Sequence, residues 1–187
     1  KVGTTWTPEL QESLKGVGRM DSLELILKAG GHENNYTQAE KEALAAEKND
    51  NYLRLVETLT PADVLLGMQA FLDDIRAKGY QMVLASASKN APKVLKYLKL
   101  SDYFDGIVNP ASVKHGKPAP DIYIAAAEMM NLPVANVAGL EDAQAGVQAI
   151  NDAGELSIGI GAGLDDADIR FDATKDVTLE AIKAQLD

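Results

Sequence analysis

From Val137 to Gly154 the chain reads as a short apolar run, two acids and then an alanine-rich stretch that closes on glycine. Residues 137–140 are enough for a buried strand and too few for a helix. Glu141 and Asp142 follow at once, and residues 143–153 carry a helical stripe through Val147 and Ile150. Gly154 suits the C-terminal cap of that helix, and the small residues between let it lie close to its neighbours. A strand that runs straight into a helix in this way belongs to a parallel α/β crossover. Its two carboxylates then stand at the C-terminal end of the strand, where open parallel sheets gather their ligands. Two readings of the pair are open: Asp142 N-caps the helix while Glu141 is solvated, or both offer oxygen to a hard cation such as Mg²⁺.

The same alternation fills most of the chain. Residues 68–78 read as a helix ended by Gly79, 81–85 as a strand, 91–98 as a helix and 106–108 as a short strand. A helix over 120–130 that opens on Asp121, a strand over 156–160 and a helix over 178–186 complete the series. Helices alternating with short apolar strands predict a doubly wound, mostly parallel sheet. The first sixty residues carry no strand pattern. Thr7 and Pro8 start a helix, Leu23, Ile26 and Leu27 mark a second that stops at Gly30 and Gly31, and Thr37 with Glu40 forms a capping box for a third running to about Val56. The expected organisation is a small all-helical cap over residues 1–60, joined near Thr60 and Pro61 to an α/β core over 61–187.

Composition narrows the partners. The 187 residues suffice for one good core with a small addition. Eighteen Lys and Arg against 28 Asp and Glu give a formal charge of −10, which argues against a general nucleic-acid or anionic-membrane surface but not against a local basic pocket. There is no cysteine, so disulfides and thiolate metal sites are excluded, which fits a reducing cytoplasm. No apolar run is long enough to span a bilayer. The expectation is a cytoplasmic monomer whose partners are small molecules.

Two further stretches carry chemistry. Ser86, Ala87, Ser88, Lys89 and Asn90 follow the 81–85 strand directly, and their hydroxyls, amide and ammonium suit an anion, although such loops are also common without a ligand. Lys117 stands before Pro118 and Pro120, so a stiff loop presents it, either to solvent or to a site; Asp121 then caps the next helix. A hydroxyl loop, a fixed lysine and an acid pair on one sheet edge are what phosphoryl transfer needs: donors and a cation for phosphate oxygens, carboxylates for Mg²⁺.

In this order these three stretches resemble the later motifs of the haloacid dehalogenase superfamily, and with the loop from Leu14 to Ser22 and the run from Lys48 to Tyr52 they resemble the β-phosphoglucomutases within it. The resemblance implies interconversion of β-glucose 1-phosphate and glucose 6-phosphate through an aspartyl phosphate and a bound glucose bisphosphate, with Mg²⁺. It implies that Ser86 and Lys117 contact the transferring phosphoryl group and that Glu141 and Asp142 serve the metal. Ser88, Lys89 and Asn90, with Ala87 in the same loop, would then touch phosphate or sugar. Arg19 matches the family's cap arginine, which grips the non-reacting phosphate, and Lys15, Gly16, Val17, Ser22 and Lys48 match the loop and lysine around it. A planar guanidinium suits phosphate better than an ammonium does. Read without the family, Lys15 and Arg19 are solvated helix-end charges. Gly18 departs from the family's usual serine, and Met20 from its frequent acid.

The family's nucleophile is an aspartate after a first strand that precedes the cap, in an Asp-x-Asp-Gly motif. No aspartate here matches: Asp165, Asp166 and Asp168 follow a glycine turn, Asp73 and Asp74 lie within a helix, and Asp105 lies in a turn. The nucleophile strand is therefore expected outside these residues, between the 81–85 and 137–140 strands, which then cannot pair with each other. A sugar-phosphate phosphatase of the same superfamily is the alternative, and so is a non-catalytic phosphate-binding fragment. The loop from Lys15 to Arg19, with Ser22, is the feature a plain hydrolase does not need.

Overall fold

The computed structural model describes residues 1–186. Three helices come first: α1 (Pro8–Ser13), α2 (Arg19–Ala29) and α3 (Gln38–Val56). Their starts are fixed locally. The Thr7 hydroxyl accepts from the Leu10 N–H at 3.2 Å with Pro8 in the first helical position. In the Thr37–Glu40 box the Thr37 N–H donates to the Glu40 carboxylate at 2.7 Å, while the Glu40 N–H donates to the Thr37 hydroxyl at 3.3 Å. Leu23, Leu27 and Ala45 close a small apolar centre of their own between α2 and α3.

The rest is α/β. Helices α4 (Met68–Ala77), α5 (Ala91–Leu98), α6 (Asp121–Met129), α7 (Gln144–Ala153) and α8 (Leu179–Lys183) alternate with strands β1 (Val83–Leu84), β2 (Gly106–Ile107), β3 (Ala138–Glu141), β4 (Leu156–Ile160) and β5 (Ile169–Phe171). All pairings are parallel, in two separate sets: β1 with β2, and β3–β4–β5 in that order. β1 and β3 do not pair, as the position expected for a nucleophile strand requires. Helices cover both faces. Phe71 of α4 and Ile182 of α8 pack on Ile158, Ile169 and Phe171. On the opposite face Ile122 and Tyr123 of α6 meet Ala149 and Ile150 of α7. Each such aliphatic side chain, fully buried, is worth about 1.5–3 kcal/mol. Gly139 is required where α7 crosses β3, because a β-carbon there would stand 2.7 Å from the Ile150 side chain.

Several expected boundaries move, each for a visible reason. The 81–85 strand shortens to Val83–Leu84 because the Asp105 carboxylate takes the Met82 N–H at 2.8 Å in place of a ladder carbonyl. The last helix spans Leu179–Lys183 rather than 178–186, with Thr178 as its cap. Asp121 does not cap α6. Pro120 holds the cap position, and Asp121, the first helical residue, accepts from the His115 N–H at 3.0 Å. β5 was not expected at all. It is three residues long with a charged centre, and it is set by Asp168, which accepts from the Ser157 N–H at 2.9 Å, while its own N–H donates to the buried Ser157 hydroxyl. Asp165 pairs with Arg170, so these acids hold the sheet edge together.

Glu155, at the turn into β4, is 5 % exposed, and its Oε1 has no hydrogen-bond partner among the described residues. Burial pushes its carboxyl up to about 7 from an ordinary value of 4.5. The folded protein therefore holds a proton there that the unfolded chain releases, and stability declines as pH rises from about 4.5 through about 7. Glu155→Gln should remove that decline and stabilise the protein at pH 8 by about 1–3 kcal/mol, with little effect at pH 4; urea denaturation at the two pH values measures it.

Candidate active site

The C-terminal ends of β1 and β3 are joined by Lys117. Its side chain, 5 % exposed, donates to the Ala85 carbonyl at 3.3 Å and to the Tyr123 hydroxyl at 2.9 Å, and forms an ion pair with Glu141. Tyr123 donates in turn to Glu141 Oε1 at 2.7 Å. Burial first, and then the Glu141 charge, hold the Tyr123 phenol well above its usual range, so the hydroxyl stays protonated and able to donate. The second oxygen of Glu141 accepts the N–H groups of Asp142 at 3.0 Å and Ala143 at 3.3 Å. The acid pair thus divides its work differently from the capping alternative. Ala143 holds the cap position of α7, Glu141 is buried against the helix start, and Asp142 is the exposed one.

Gly146 makes room for this. A β-carbon on it would stand 2.1 Å from the Glu141 carboxyl carbon, so the side chain lies across the first turn of α7 where only glycine leaves space.

The loop after β1 is wound by its own hydroxyls: the Ser88 N–H donates to Ser86 Oγ at 3.2 Å, and the Asn90 N–H to Ser88 Oγ at 3.2 Å. Facing it is the loop between α1 and α2. Gly16 has φ +70°, and a β-carbon there would lie 3.5 Å from Cβ of Ala143 and 3.8 Å from Cδ of Lys117, so the helical unit rests on the sheet end. Lys15 pairs with Glu12 at 2.8 Å, and that hydrogen bond, with smaller help from the charges of Glu12 and Asp142, raises its pKa. Arg19 Nη2 donates to Asn49 Oδ1 at 2.6 Å. Ser22 is buried and donates to the Val17 carbonyl at 3.4 Å, holding the start of α2.

A cavity of about 810 Å³ opens between the helical unit and the core. Of the expected residues, Val17, Arg19, Ser22 and Lys48 line it from the helical side, and Ala87, Ser88, Lys89, Asn90 and Lys117 from the core side. Lys15, Gly16, Ser86, Glu141 and Asp142 are not in its lining. The wall is basic within an acidic protein: Arg19, Lys48, Lys89, Lys114 and Lys117 stand against Asp21 and Glu42. Sequence reasoning missed Tyr123, which an apolar helix disguises as core, and Lys114 and Trp6, which carry no local signal; Asn49 and Tyr52 fall in the run from Lys48 to Tyr52 but had no role assigned. Among the described residues no three acids or histidines cluster as a metal site.

Residues 4–154 match the profile of the haloacid dehalogenase-like hydrolases. The chain belongs to that family. It is 43 % identical over 176 residues to β-phosphoglucomutase of Bacillus subtilis, covering 93 % of this chain and 78 % of that protein. The crystal structure of a Clostridium difficile β-phosphoglucomutase superposes with a TM-score of 0.94 at 38 % identity, covering 98 % of this chain and 83 % of that one. A phosphorylated-carbohydrate phosphatase of Thermotoga maritima is more distant, at 27 % identity over 154 residues, 81 % of this chain and 68 % of that protein.

The Glu141–Gly146 fit can be tested by sign. At an ordinary helical position Gly→Ala stabilises by up to about 1 kcal/mol. Here Gly146→Ala should instead destabilise by about 1–3 kcal/mol by forcing Glu141 off α7, as read from the denaturation midpoint.

Proposed function

We propose that the protein is a phosphosugar mutase that interconverts β-glucose 1-phosphate and glucose 6-phosphate through an aspartyl phosphate and a bound glucose bisphosphate. The observation that carries this reading is the pair of cationic loci on one cavity, Lys117 at the sheet end and Arg19 in the helical unit. A mutase must hold two phosphates at once and turn the sugar between them, while a phosphatase needs one. The identity of 43 % to a β-phosphoglucomutase, against 27 % to a phosphatase, supports the same choice.

Residues 1–60 act in this reading as a cap over the core of residues 61–187. Lys117, oriented by Tyr123, Glu141 and the Ala85 carbonyl, offsets charge on the transferring phosphoryl group, and Ser86 donates to it. Arg19 holds the remote phosphate, with Lys89 and Asn90 on the core side and Lys48 on the cap side. Lys15, Gly16 and Val17 close over the reacting end and exclude water, which favours transfer to a sugar hydroxyl over hydrolysis. The nucleophile is an aspartate on a strand between β1 and β3, outside the residues described.

The donor chemistry suits a hard divalent cation in one respect: Asp142 is an exposed carboxylate, and Mg²⁺ needs only one or two of them beside phosphate oxygens and water. Glu141, engaged by Lys117 and two N–H groups, orients that end of the strand more than it offers a free ligand. When bound, such a cation neutralises phosphoryl oxygens.

The test uses the full-length protein. Glucose 6-phosphate should form from β-glucose 1-phosphate with little release of inorganic phosphate. Arg19→Ala should cut that turnover at least about a hundredfold while sparing phosphorylation of the nucleophile by a small donor. Asp142→Ala should raise the Mg²⁺ concentration needed for half-maximal rate. Inorganic phosphate as the main product would establish the phosphatase alternative.

A further inference from the structure

Asn49 lies in α3, next to Lys48, and its carbonyl oxygen accepts two hydrogen bonds. One comes from Arg19 Nη2 of α2 at 2.6 Å, the other from Asn90 Nδ2 in the loop after β1 at 2.7 Å. The two donors belong to different parts of the chain. Beyond the local bonds where α3 runs out at residues 57–59, which include the Thr58 hydroxyl donating to the Leu55 carbonyl, the Asn90–Asn49 bond is the one hydrogen bond between residues 1–56 and the remainder, among the described residues. Among the described residues no salt bridge joins the two parts either. The single polar tie across the cavity is therefore also the group that holds Arg19.

We infer that Asn49 is a positioning residue that couples closure of the helical unit to the aim of Arg19. This rests on the phosphosugar reading of the cavity. A carboxamide oxygen has two lone pairs, and both are filled. Arg19 keeps further N–H groups on its fork, and Asn90 keeps its second amide hydrogen, so both remain able to bind a phosphate. Asn49 fixes these donors in one place before the ligand arrives, and it does so only when the helical unit is down on the core. Ordering the two side chains in advance lowers the cost of binding. Holding the binding-competent state removes the penalty of a fractional population. A carbonyl is suited to this role because it aims the guanidinium without cancelling its charge, as a carboxylate would.

Trp6, the single tryptophan, lines the same cavity and reports on it by fluorescence. In the full-length protein three measurements on wild type, Asn49→Ala and Asn49→Asp decide the matter: X-ray scattering without ligand, Trp6 titration with glucose 6-phosphate, and thermal denaturation. Wild type and Asn49→Asp, which keeps both acceptor bonds, should scatter as the same compact particle, whereas Asn49→Ala should show a larger radius of gyration. Asn49→Ala should bind glucose 6-phosphate about tenfold more weakly, with its denaturation midpoint close to wild type. Asn49→Asp should bind weakly too, through charge repulsion, while remaining closed. The inference is overturned if Asn49→Ala scatters and binds like wild type, if Asn49→Asp opens like Asn49→Ala, or if weaker binding is matched by a large fall in the midpoint. A wild-type protein that does not bind glucose 6-phosphate at all would instead overturn the phosphosugar reading.

Discussion

The buried pair between Lys117 and Glu141 is the constraint on which the sheet end depends. Taking two charges out of water costs several kcal/mol per ion, and only close geometry with additional hydrogen bonds offsets it. The protein supplies those bonds from four directions: the Ala85 carbonyl, the Tyr123 hydroxyl and the N–H groups of Asp142 and Ala143. β1 and β3 do not pair with each other, and this cluster bridges their C-terminal ends. Gly146 follows from it, because the carboxylate occupies the place of a side chain on α7. The exposure of Asp142 follows too, because Glu141 has taken the helix start.

Much of the fold was legible because its signals are local. Thr7 with Pro8, and Thr37 with Glu40, start helices by contacts within four residues, and Gly154 ends one with φ +82°. The alternation of helix and short strand announced the parallel sheet, and the acid pair stands at the C-terminal end of β3, with Glu141 as the last residue of the strand. What escaped depends on partners far along the chain. β5 is held by Asp168 reaching across to Ser157, and β1 is cut short by Asp105 reaching Met82. Tyr123 looks like one more apolar residue of α6 until its hydroxyl is seen between lysine and glutamate. Asp121 has the letters of a helix cap, yet proline is already in that place and the carboxylate turns to His115.

The site divides along the same line. Residues of the sheet end were found from their spacing, since strand-to-loop-to-helix grammar places them on one edge. Residues of the helical unit were found through resemblance, since Arg19 and Lys48 sit on ordinary helices with no pattern of their own. The cavity between them has a basic wall despite a formal charge of −10, a contrast that favours small anions there while the outer surface repels polyanions.

Gly67 has a consequence for how the two parts can move. Its φ is +88°, and a β-carbon on it would stand 2.6 Å from the Lys175 backbone; beside it the Thr174 hydroxyl donates to the Leu66 carbonyl at 2.9 Å. The chain entering α4 is thus clamped by a segment more than a hundred positions downstream. In the proposed closure, any rotation of the first three helices would fall upstream of Leu66, in the few residues around the 3₁₀ turn Pro61–Asp63. The far C-terminal segment, which forms no part of the cavity lining, thus fixes one end of the joint between the two parts.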